Sequence, residues 1–452
     1  MARARDPLET IRTVFPRQLP AQAARVMNLY HQMRAFERYP RERQEALLAA
    51  QLSHLCAHAQ KYAPFWTERL AKAGPGRKSL QEMLSAIAPL TRKETQTEFE
   101  RLSAKFPERA NAFVTESSTS GSTGTPVRFE RSQLFYAPQY HAIALISTAW
   151  HNIDQRRPLG VIGNRCDTKD RAPLGPPFRW LGPVGVGFEY CTKGLEIDEI
   201  FEHCASRKPA YLQCGPTQLM SLARYAMQNN RKDLRPEAAL TLGSLVTEEI
   251  RDTVREGLGT RIVDRYSCEE TGYIALQCPK HHHFHVMSPV THVEIVDENG
   301  DPCPVGKPGR VLLTSMQSYA MPLIRYEIGD MAEWGEPCDC GITLPVISKL
   351  WGRTRHLITT PDGRKTYARI YARDFEDLTN LLAYRFVLHQ NEVVVAQLKV
   401  TEQSAELDAA VIERVQRALS YPYPVRIRYV DEIDWGNSWK QEYFGVSDAP
   451  PD

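Results

Sequence analysis

The chain has 452 residues and a formal net charge of +2, with 42% hydrophobic and 24% charged residues, which is typical of a globular protein of about two or three domains. The near balance of charges gives no reason to expect a nucleic acid or an anionic membrane as a partner. No apolar run approaches the roughly 20 residues that a membrane-spanning helix needs, and the charged N-terminus lacks the apolar core of a secretory signal, so we predict a cytoplasmic protein.

Helical periodicity appears first in residues 43–73. Leu48, Leu52 and Leu55 recur on one helical face, and Pro64 predicts a break between two helices. Another helix is predicted over residues 132–152. From 158 to 250, strand-like segments such as PLGVIG and AYLQCG alternate with helix-like segments such as IDEIFEHCASR. This alternation predicts a parallel sheet of the α/β class.

The pattern changes in the second half of the chain. Residues 286–330 contain short strand-like segments and the turn sequence ENGD, which predicts a small antiparallel barrel or sheet. The last hundred residues read as a separate α+β unit. Its predicted elements are a strand over 392–400, a helix over 407–419 and a half-buried strand over 425–430.

The stretch SSTSGSTGTP, residues 117–126, consists of four Ser, three Thr, two Gly and one Pro. A flexible linker is one interpretation. The other is a phosphate-binding loop, because strand-like NAFV precedes it, a helix-like segment follows it, and backbone N–H groups with hydroxyls can surround phosphate oxygens. It is not the Lys-bearing P-loop, since GSTGTP lacks the GK[ST] ending.

Three later motifs favour the phosphate-binding interpretation. They are YSCEETG (266–272), MPLIRYEIGD (321–330) and WGRTRH (351–356). With the hydroxyl-rich loop, and in this order, they resemble the adenylate-forming superfamily of acyl-CoA synthetases and adenylation domains, in particular its phenylacetate–CoA ligase branch. The resemblance implies a large N-terminal adenylate-forming domain over residues 1–352, with parallel α/β subdomains and a small β-barrel-like subdomain. It also implies a small mobile α+β lid domain over residues 353–452.

The resemblance implies ATP-dependent activation of a carboxylic acid to an acyl-AMP, followed by transfer to a thiol. Glu270 matches the Mg²⁺-binding glutamate of the family, and Lys440, in NSWKQEYF, matches its catalytic lysine although Trp439 replaces the usual glycine. Arg355 stands at the hinge position. The implied nucleotide-binding residues are Ser117, Ser118, Thr119, Ser120, Gly121, Ser122, Thr123, Gly124, Thr125, Tyr266, Asp330 and Arg353.

The acid-binding pocket is the least defined part of this prediction. Ser267 and Glu269 stand where the family usually has Gly and Ser or Thr, and LGS (242–244) replaces the frequent SGE. The resemblance therefore does not identify phenylacetate as the substrate of this chain. It supports only the expectation of an aryl or aryl-like acid. Candidate pocket residues, for each of which a core position is the alternative, are Tyr140, Trp150, Phe188, Tyr190, Gly243, Ser244 and Ser267.

Ten cysteines in a chain without a predicted export signal favour metal binding or burial over disulfides. Cys278 and His281 have C-x₂-H spacing, and Cys338 and Cys340 have C-x-C spacing. Four such ligands in two short pairs suit a structural tetrahedral Zn²⁺ site. The alternatives to His281 are His282, His283 and His285, and the alternative to a metal site is buried cysteines beside a surface histidine cluster.

The leading functional prediction is thus an ATP- and Mg²⁺-dependent acid–thiol ligase. The acceptor is coenzyme A or the phosphopantetheine of a carrier protein acting in trans, and an amine acceptor giving an amide is a further alternative. A non-catalytic, zinc-stabilised nucleotide-binding scaffold is the competing class. Retention of Glu270, Asp330 and Lys440 argues against lost catalysis.

Overall fold

The computed structural model describes residues 21–73, 79–119, 126–163, 170–171, 187–192, 194–353, 357–368, 370, 372–375, 377–433 and 443–451. The chain divides into two compact units. Of the described residues, the larger unit contains those up to 119, those in 126–328 and those in 332–350, and the smaller contains 329–331 and those from 351 onward. The predicted assignment of a catalytic domain and a lid domain, divided after residue 352, stays a prediction.

The helices of the larger unit confirm the periodicity of the sequence. They are α1 (Ala21–Phe36), α2 (Arg41–Tyr62), α3 (Pro64–Ala73), α4 (Leu80–Ser85), α5 (Arg92–Thr97), α6 (Phe99–Leu102), α7 (Gln133–Trp150), α8 (Ile197–Arg207), α9 (Pro216–Gln228) and α10 (Glu248–Leu258), with a 3₁₀ turn at Pro107–Ala112. Ala63 is extended, so the chain breaks between α2 and α3 at Pro64 as predicted. Within the described residues, no helix is long and apolar enough to cross a membrane.

One large sheet forms the centre of the larger unit. Its strands are β3 (Leu159–Gly163), β4 (Asp170–Arg171), β5 (Phe188–Cys191), β6 (Tyr211–Cys214), β7 (Ala238–Leu242), β8 (Arg261–Cys268), β9 (Gly272–Gln277), β10 (Phe284–Val286), β11 (Thr291–Val296), β12 (Gly309–Ser315), β13 (Tyr326–Trp334) and β14 (Val346–Arg353). The spatial order is β11-β12-β13-β14-β10-β9-β8-β7-β6-β3-β5-β4.

The fold class is confirmed by the pairing of these strands. Strands β5, β3, β6, β7 and β8 are parallel to one another, as the alternation of strands and helices predicts, and the short edge strand β4 pairs antiparallel with β5. The pairs β8–β9, β9–β10, β10–β14 and β11–β12 are antiparallel. The antiparallel strands are not a separate hydrogen-bonded sheet, because the β8–β9 hairpin connects them to the parallel strands.

The surroundings of the hydroxyl-rich stretch differ from the prediction. NAFV is not a strand, since the 3₁₀ turn extends to Ala112 and Phe113 has a φ of +49°. Strand β1 (Val114–Ser118) begins only at the last residue of NAFV and pairs antiparallel with β2 (Arg128–Ser132). The stretch therefore connects two strands of a hairpin rather than a strand and a helix. The missed signal was VRFERS, in which apolar and charged residues alternate as in a half-buried strand.

The N-terminal helices hold the segment 316–326, called here the motif segment because it carries most of MPLIRYEIGD. Gln51 Nε2 donates to the Met316 carbonyl over 2.8 Å, and the indole N–H of Trp66 donates to the Pro322 carbonyl over 2.9 Å. The Leu90 N–H donates to the Arg325 carbonyl over 3.0 Å. Trp66 is fully buried, so its bond to the Pro322 carbonyl lies in the core and an unpaired partner there would be costly.

The smaller unit is an α+β structure, as the sequence predicts for the tail. Its strands are β15 (Leu357–Thr359), β16 (Lys365–Tyr367), β17 (Leu381–His389), β18 (Val393–Val400), β19 (Val425–Tyr429) and β20 (Phe444–Ser447). Strands β15 and β16 form a two-stranded sheet, and the other four form a sheet in the order β19-β18-β17-β20. Helix α11 (Ala405–Leu419) buries Leu407, Val411, Val415 and Leu419 in the core of this unit. The predicted helical face and both predicted strands are therefore confirmed.

Candidate functional site

The described part of the hydroxyl-rich stretch closes the β1–β2 hairpin. Ser117 and Ser118 pair with Phe129 and Arg128. The Thr119 N–H donates to the Val127 carbonyl, and the Thr119 hydroxyl accepts from the Val127 N–H, each over 3.0 Å. Ser120, Gly121, Ser122, Thr123, Gly124 and Thr125 lie outside the described residues. Strand β2 separates this loop from the N-terminus of α7. The prediction that the loop leads directly into a helix N-terminus, which would bind phosphate, is therefore wrong.

Glu270 lies in the tight turn between β8 and β9 and is buried. The hydroxyl of the fully buried Tyr326 donates to Glu270 Oε1 over 3.1 Å. Burial, and next the negative charge of Glu270, raise the pKa of Tyr326, so this hydroxyl stays protonated and remains a donor. The bond fixes one carboxylate oxygen, and no described residue donates to the other, which is therefore the oxygen that suits a cation.

Gly272 ends this turn with a φ of +83°. A Cβ atom there would lie 3.1 Å from the Tyr136 ring, so both the backbone conformation and the space favour glycine. The glycine therefore allows the Glu270 turn to pack directly on α7.

Two residues that depart from the family pattern surround Glu270. Ser267 is half-buried beside a bulge of the β8–β9 pair. Glu269 Oε2 lies 3.8 Å from Arg131 Nη2, and the Arg131 guanidinium also lies 4.3 Å from the centre of the Tyr136 ring. The unusual second carboxylate therefore has a cationic neighbour, which reduces its repulsion of Glu270.

The other predicted nucleotide-binding residues are placed less completely. Tyr266 is buried near the end of β8, and Asp330 lies within β13. Arg353 is the last residue of β14, but its side chain is outside the described residues, as are Arg355 and Lys440. The roles of these residues stay predictions.

The structure does not bring all predicted pocket residues together. Tyr140 and Trp150 are both on α7, but ten residues of helix separate their Cα atoms by about 15 Å. Tyr140 stacks on Tyr273 at 4.6 Å, whereas the Trp150 indole donates to Glu37 Oε2 over 3.2 Å. Trp150 also lies against His285, next to the cysteine cluster, which is the position of a core residue.

Of the remaining pocket candidates, Gly243 and Ser244 lie at the carboxyl end of a parallel strand, whereas Phe188 is the first residue of its strand. Phe188 and Tyr190 are on β5, where the Tyr190 ring stacks on His203 at 3.4 Å. Gly243 and Ser244 follow β7 directly, and Gly243 has a φ of +86°. Ligands of open α/β sheets bind outside the carboxyl ends of the strands, so the position of Gly243 and Ser244 agrees with a pocket. The role of each residue stays a prediction.

The cysteine and histidine motifs meet in space. Cys278 Sγ and Cys338 Sγ are 3.7 Å apart, close to the roughly 3.8 Å that two thiolates at 2.3 Å from a tetrahedral zinc would have. The Cys340 thiol contacts both of them and lies 3.2 Å from His285 Nε2. The ligand atoms of Cys278, His283, His285 and Cys338 all lie within 4.8 Å of one another.

The histidines of this cluster differ in their surroundings. His285 is fully buried, and its Nδ1 donates to the Leu344 carbonyl over 3.3 Å, which leaves the Nε2 lone pair facing the thiols. His283 Nε2 is buried without a hydrogen-bond partner. The predicted ligand His281 is 44% exposed and binds Asp339 Oδ1 over 2.7 Å, although it also lies near Cys338. The geometry thus favours His285, one of the alternatives, over His281.

The buried arginine Arg265 was not singled out by the sequence. It donates to Tyr273 Oη over 3.2 Å and to Gln213 Oε1 over 3.0 Å. These partners are on β9 and β6, so only the pairing of strands brings them together. No spacing in the sequence signals this network.

Comparisons with known proteins confirm the resemblance. No protein-family model matches the chain. A phenylacetate–coenzyme A ligase of Thermus thermophilus is 26% identical over 396 residues, which cover 83% of each chain. Among solved structures, a 2-hydroxyisobutyryl-CoA ligase in complex with R3-HIB-AMP has a TM-score of 0.68 at 17% identity over 90% of each chain. An anthranilate CoA ligase in complex with anthranoyl-AMP has a TM-score of 0.51 at 15% identity over 72% of this chain and 64% of its own. The chain therefore has the fold of the adenylate-forming CoA ligases and is similar in sequence to one of them.

Proposed function

We propose that this chain is an AMP-forming acid–thiol ligase that activates a carboxylic acid with ATP and transfers the acyl group to coenzyme A. The observation that carries the proposal is Glu270, which is buried, oriented by Tyr326 and placed in the turn that matches the family motif. The relatives support it, because a solved ligase of this fold was captured with an acyl-AMP and coenzyme A at a TM-score of 0.57 over 97% of this chain.

The chemistry explains why such residues are needed. Attack of a carboxylate on the α-phosphate of ATP brings two anions together, so cations and N–H donors must offset the developing charge. Glu270 would hold Mg²⁺, and its free carboxylate oxygen suits a hard cation. Residues 117–125 would bind the phosphates, Asp330 would accept from the ribose hydroxyls, and Arg353 would lie beside the ribose.

The acid is proposed to carry a ring. The partly buried Tyr140, whose ring stacks on the buried Tyr273, supplies an aromatic side chain, and the relatives include ligases named for phenylacetate and anthranilate. The likeness to a 2-hydroxyisobutyryl-CoA ligase makes a short branched aliphatic acid the alternative. Coenzyme A is the proposed acceptor over a carrier protein or an amine, because the relatives are CoA ligases.

A panel of acids tests this function. We expect pyrophosphate release with ATP, Mg²⁺ and at least one aryl or arylacetic acid, and acyl-CoA formation when coenzyme A is added. A clear preference for long-chain aliphatic acids would refute the ring preference. Acid-dependent pyrophosphate release with no thioester would favour an amine or carrier acceptor, and its absence with every acid would favour the non-catalytic scaffold.

A structural zinc site is part of the proposal. The proposed ligands are Cys278, Cys338, Cys340 and His285, because the Cys278 and Cys338 thiols are 3.7 Å apart, the Cys340 thiol lies 3.2 Å from His285 Nε2, and His285 is oriented by a backbone carbonyl. His283, whose ring nitrogen lies close to Cys278, His285 and Cys338, stays an alternative ligand. Backbone N–H groups of Lys280 and Cys340 point at the thiols of Cys278 and Cys338 over 3.4 Å, which stabilises thiolates. Four protein ligands leave no open position, so this zinc would support the fold rather than the reaction.

We expect about one zinc per chain in protein purified without a histidine tag. Cys338→Ser and His285→Ala should each lose most of it and lower the unfolding temperature, since metal binding is coupled to folding. Elemental analysis and thermal unfolding measure both effects. Cys303→Ser, at a buried cysteine outside the cluster, is the matched control and should keep the metal. Zinc retained in His285→Ala but lost in His281→Ala would return the assignment to His281.

A further inference from the structure

The buried guanidinium of Arg265 has only neutral partners. It lies near the carboxyl end of β8 and is 7% exposed. It donates to Gln213 Oε1, Tyr273 Oη and, over 3.5 Å, the Thr241 carbonyl. No carboxylate lies within ion-pair distance of it among the described residues. A buried cation without an anion is expensive, so its retention calls for a reason.

The neighbouring Asp264 does not provide the missing charge, because successive residues of a strand face opposite sides of the sheet. On its own face Asp264 accepts from the Thr241 hydroxyl over 2.7 Å and lies near Arg251 of α10. The Arg265 side chain lies on the other face, where Gln213 and Tyr273 accept its hydrogen bonds. The positive charge of Arg265 is therefore directed towards the side on which α7 lies.

Arg265 begins a chain of hydrogen bonds that continues through two tyrosine hydroxyls. A guanidinium can only donate, so Tyr273 Oη must accept from Arg265 and use its own hydrogen elsewhere. That hydrogen is donated to Tyr140 Oη over 3.3 Å. The hydroxyl hydrogen of Tyr140 then has no acceptor among the described residues, and Tyr140 is only partly buried. Burial raises the pKa of Tyr140, so it remains a protonated donor.

We propose that Tyr140 is a specificity-determining residue, which donates a hydrogen bond to an oxygen carried by the acid away from its carboxylate. Arg265 is its positioning residue, because it orients and polarises the chain from Tyr273 to Tyr140. The preferred substrates are thus acids with a hydroxyl, ether or second carboxylate oxygen rather than their unsubstituted parents. This inference rests on the proposed function and names the substrate class of the same site.

The test compares matched acids. Pyrophosphate release is measured with phenylacetate, benzoate and butyrate, each beside its hydroxy derivatives and, for the aryl acids, its methoxy derivatives. For the best pair, the wild-type protein should show a kcat/KM about 10-fold higher for the oxygen-bearing acid, which is the upper end of the value of one neutral hydrogen bond. Tyr140→Phe should reduce this ratio to near one, mainly through the KM of the oxygen-bearing acid.

Two further variants separate recognition from folding. Arg265→Lys keeps a cation but not the geometry of the guanidinium, and it should lower the ratio in the same direction with the Tyr140 side chain intact. Tyr225→Phe removes a hydroxyl from α9 outside the network and should leave the ratio unchanged. Thermal unfolding shows whether each variant is folded.

The outcomes are distinct. An unchanged ratio in folded Tyr140→Phe would overturn the inference and show that solvent satisfies the Tyr140 hydroxyl. A wild-type preference for the unsubstituted acids would overturn it as well. Both of these results leave the ligase function standing. Absence of pyrophosphate release with every acid in the wild-type protein would instead refute the proposed function, and the inference with it.

Discussion

Replacing Glu270 by Gln is expected to lower acid-dependent pyrophosphate release by about 100-fold or more, the usual effect of removing one group that stabilises transition-state charge. Glutamine has the same shape and can still accept from Tyr326, so the turn should stay folded. What it loses is the negative charge that would hold Mg²⁺ in the proposed function. Nucleotide binding measured without metal should therefore change little, whereas the Mg²⁺ concentration needed for half-maximal rate should rise.

The neighbouring carboxylate provides a matched control for this experiment. Glu269 is 42% exposed and faces Arg131, so Glu269→Gln removes a charge one residue away without touching the predicted metal ligand. We expect its rate to stay within a few-fold of the wild-type protein, because an exposed ion pair contributes about 1 kcal/mol or less. Tyr326→Phe, which only frees the Glu270 carboxylate, should have an intermediate effect. Near-wild-type release in Glu270→Gln would rule out the Mg²⁺ assignment.

Lys440→Ala is expected to lose acyl-AMP formation by about 100-fold or more and to keep acyl transfer from supplied acyl-AMP to the thiol. The reason is that only the first half-reaction needs a cation beside the forming anhydride. The proposal is that Lys440 delivers this charge and is absent when the thiol approaches. Pyrophosphate release measures the first half-reaction, and thioester formation from chemically made acyl-AMP measures the second.

A second lysine of the smaller unit serves as the control. Lys399 lies on β18, so Lys399→Ala removes the same charge from a regular strand and should affect neither half-reaction. Equal losses in both half-reactions of Lys440→Ala would indicate a folding defect. No loss in either would make Lys440 an ordinary solvated lysine, and the catalytic assignment would be wrong.

Local patterns were sufficient for most of the fold. The break at Pro64, the long helix α7, the alternation from β3 to β7 and the buried face of α11 all follow from periodicity and the restrictions of proline. Strand β2 was missed because it is only five residues long and follows a glycine- and serine-rich stretch. Such a short strand is stabilised by its partner β1, which the sequence does not identify.

The candidate site was predictable only where its residues stand in one motif. Glu270 could be found because the turn that carries it is continuous in sequence. The sequence could not favour His285 over His281. What distinguishes His285 is that it is buried within β10 and bonds to the Leu344 carbonyl, which is 59 residues away. The connection from Arg265 to Tyr140 was not visible either, because it crosses from β8 to β9 and then to α7.

The bonds between the N-terminal helices and the motif segment have a consequence for how the chain is made. Trp66 and the Pro322 carbonyl are separated by 256 residues, and a ribosome adds about 5–20 residues per second. Helices α2 and α3 thus emerge roughly 13 to 50 s before the segment that completes their core is synthesised. During that interval the part of their core that the motif segment covers stays exposed, so nascent chains stalled before residue 316 should be bound by chaperones, and release should follow once the motif segment has left the exit tunnel.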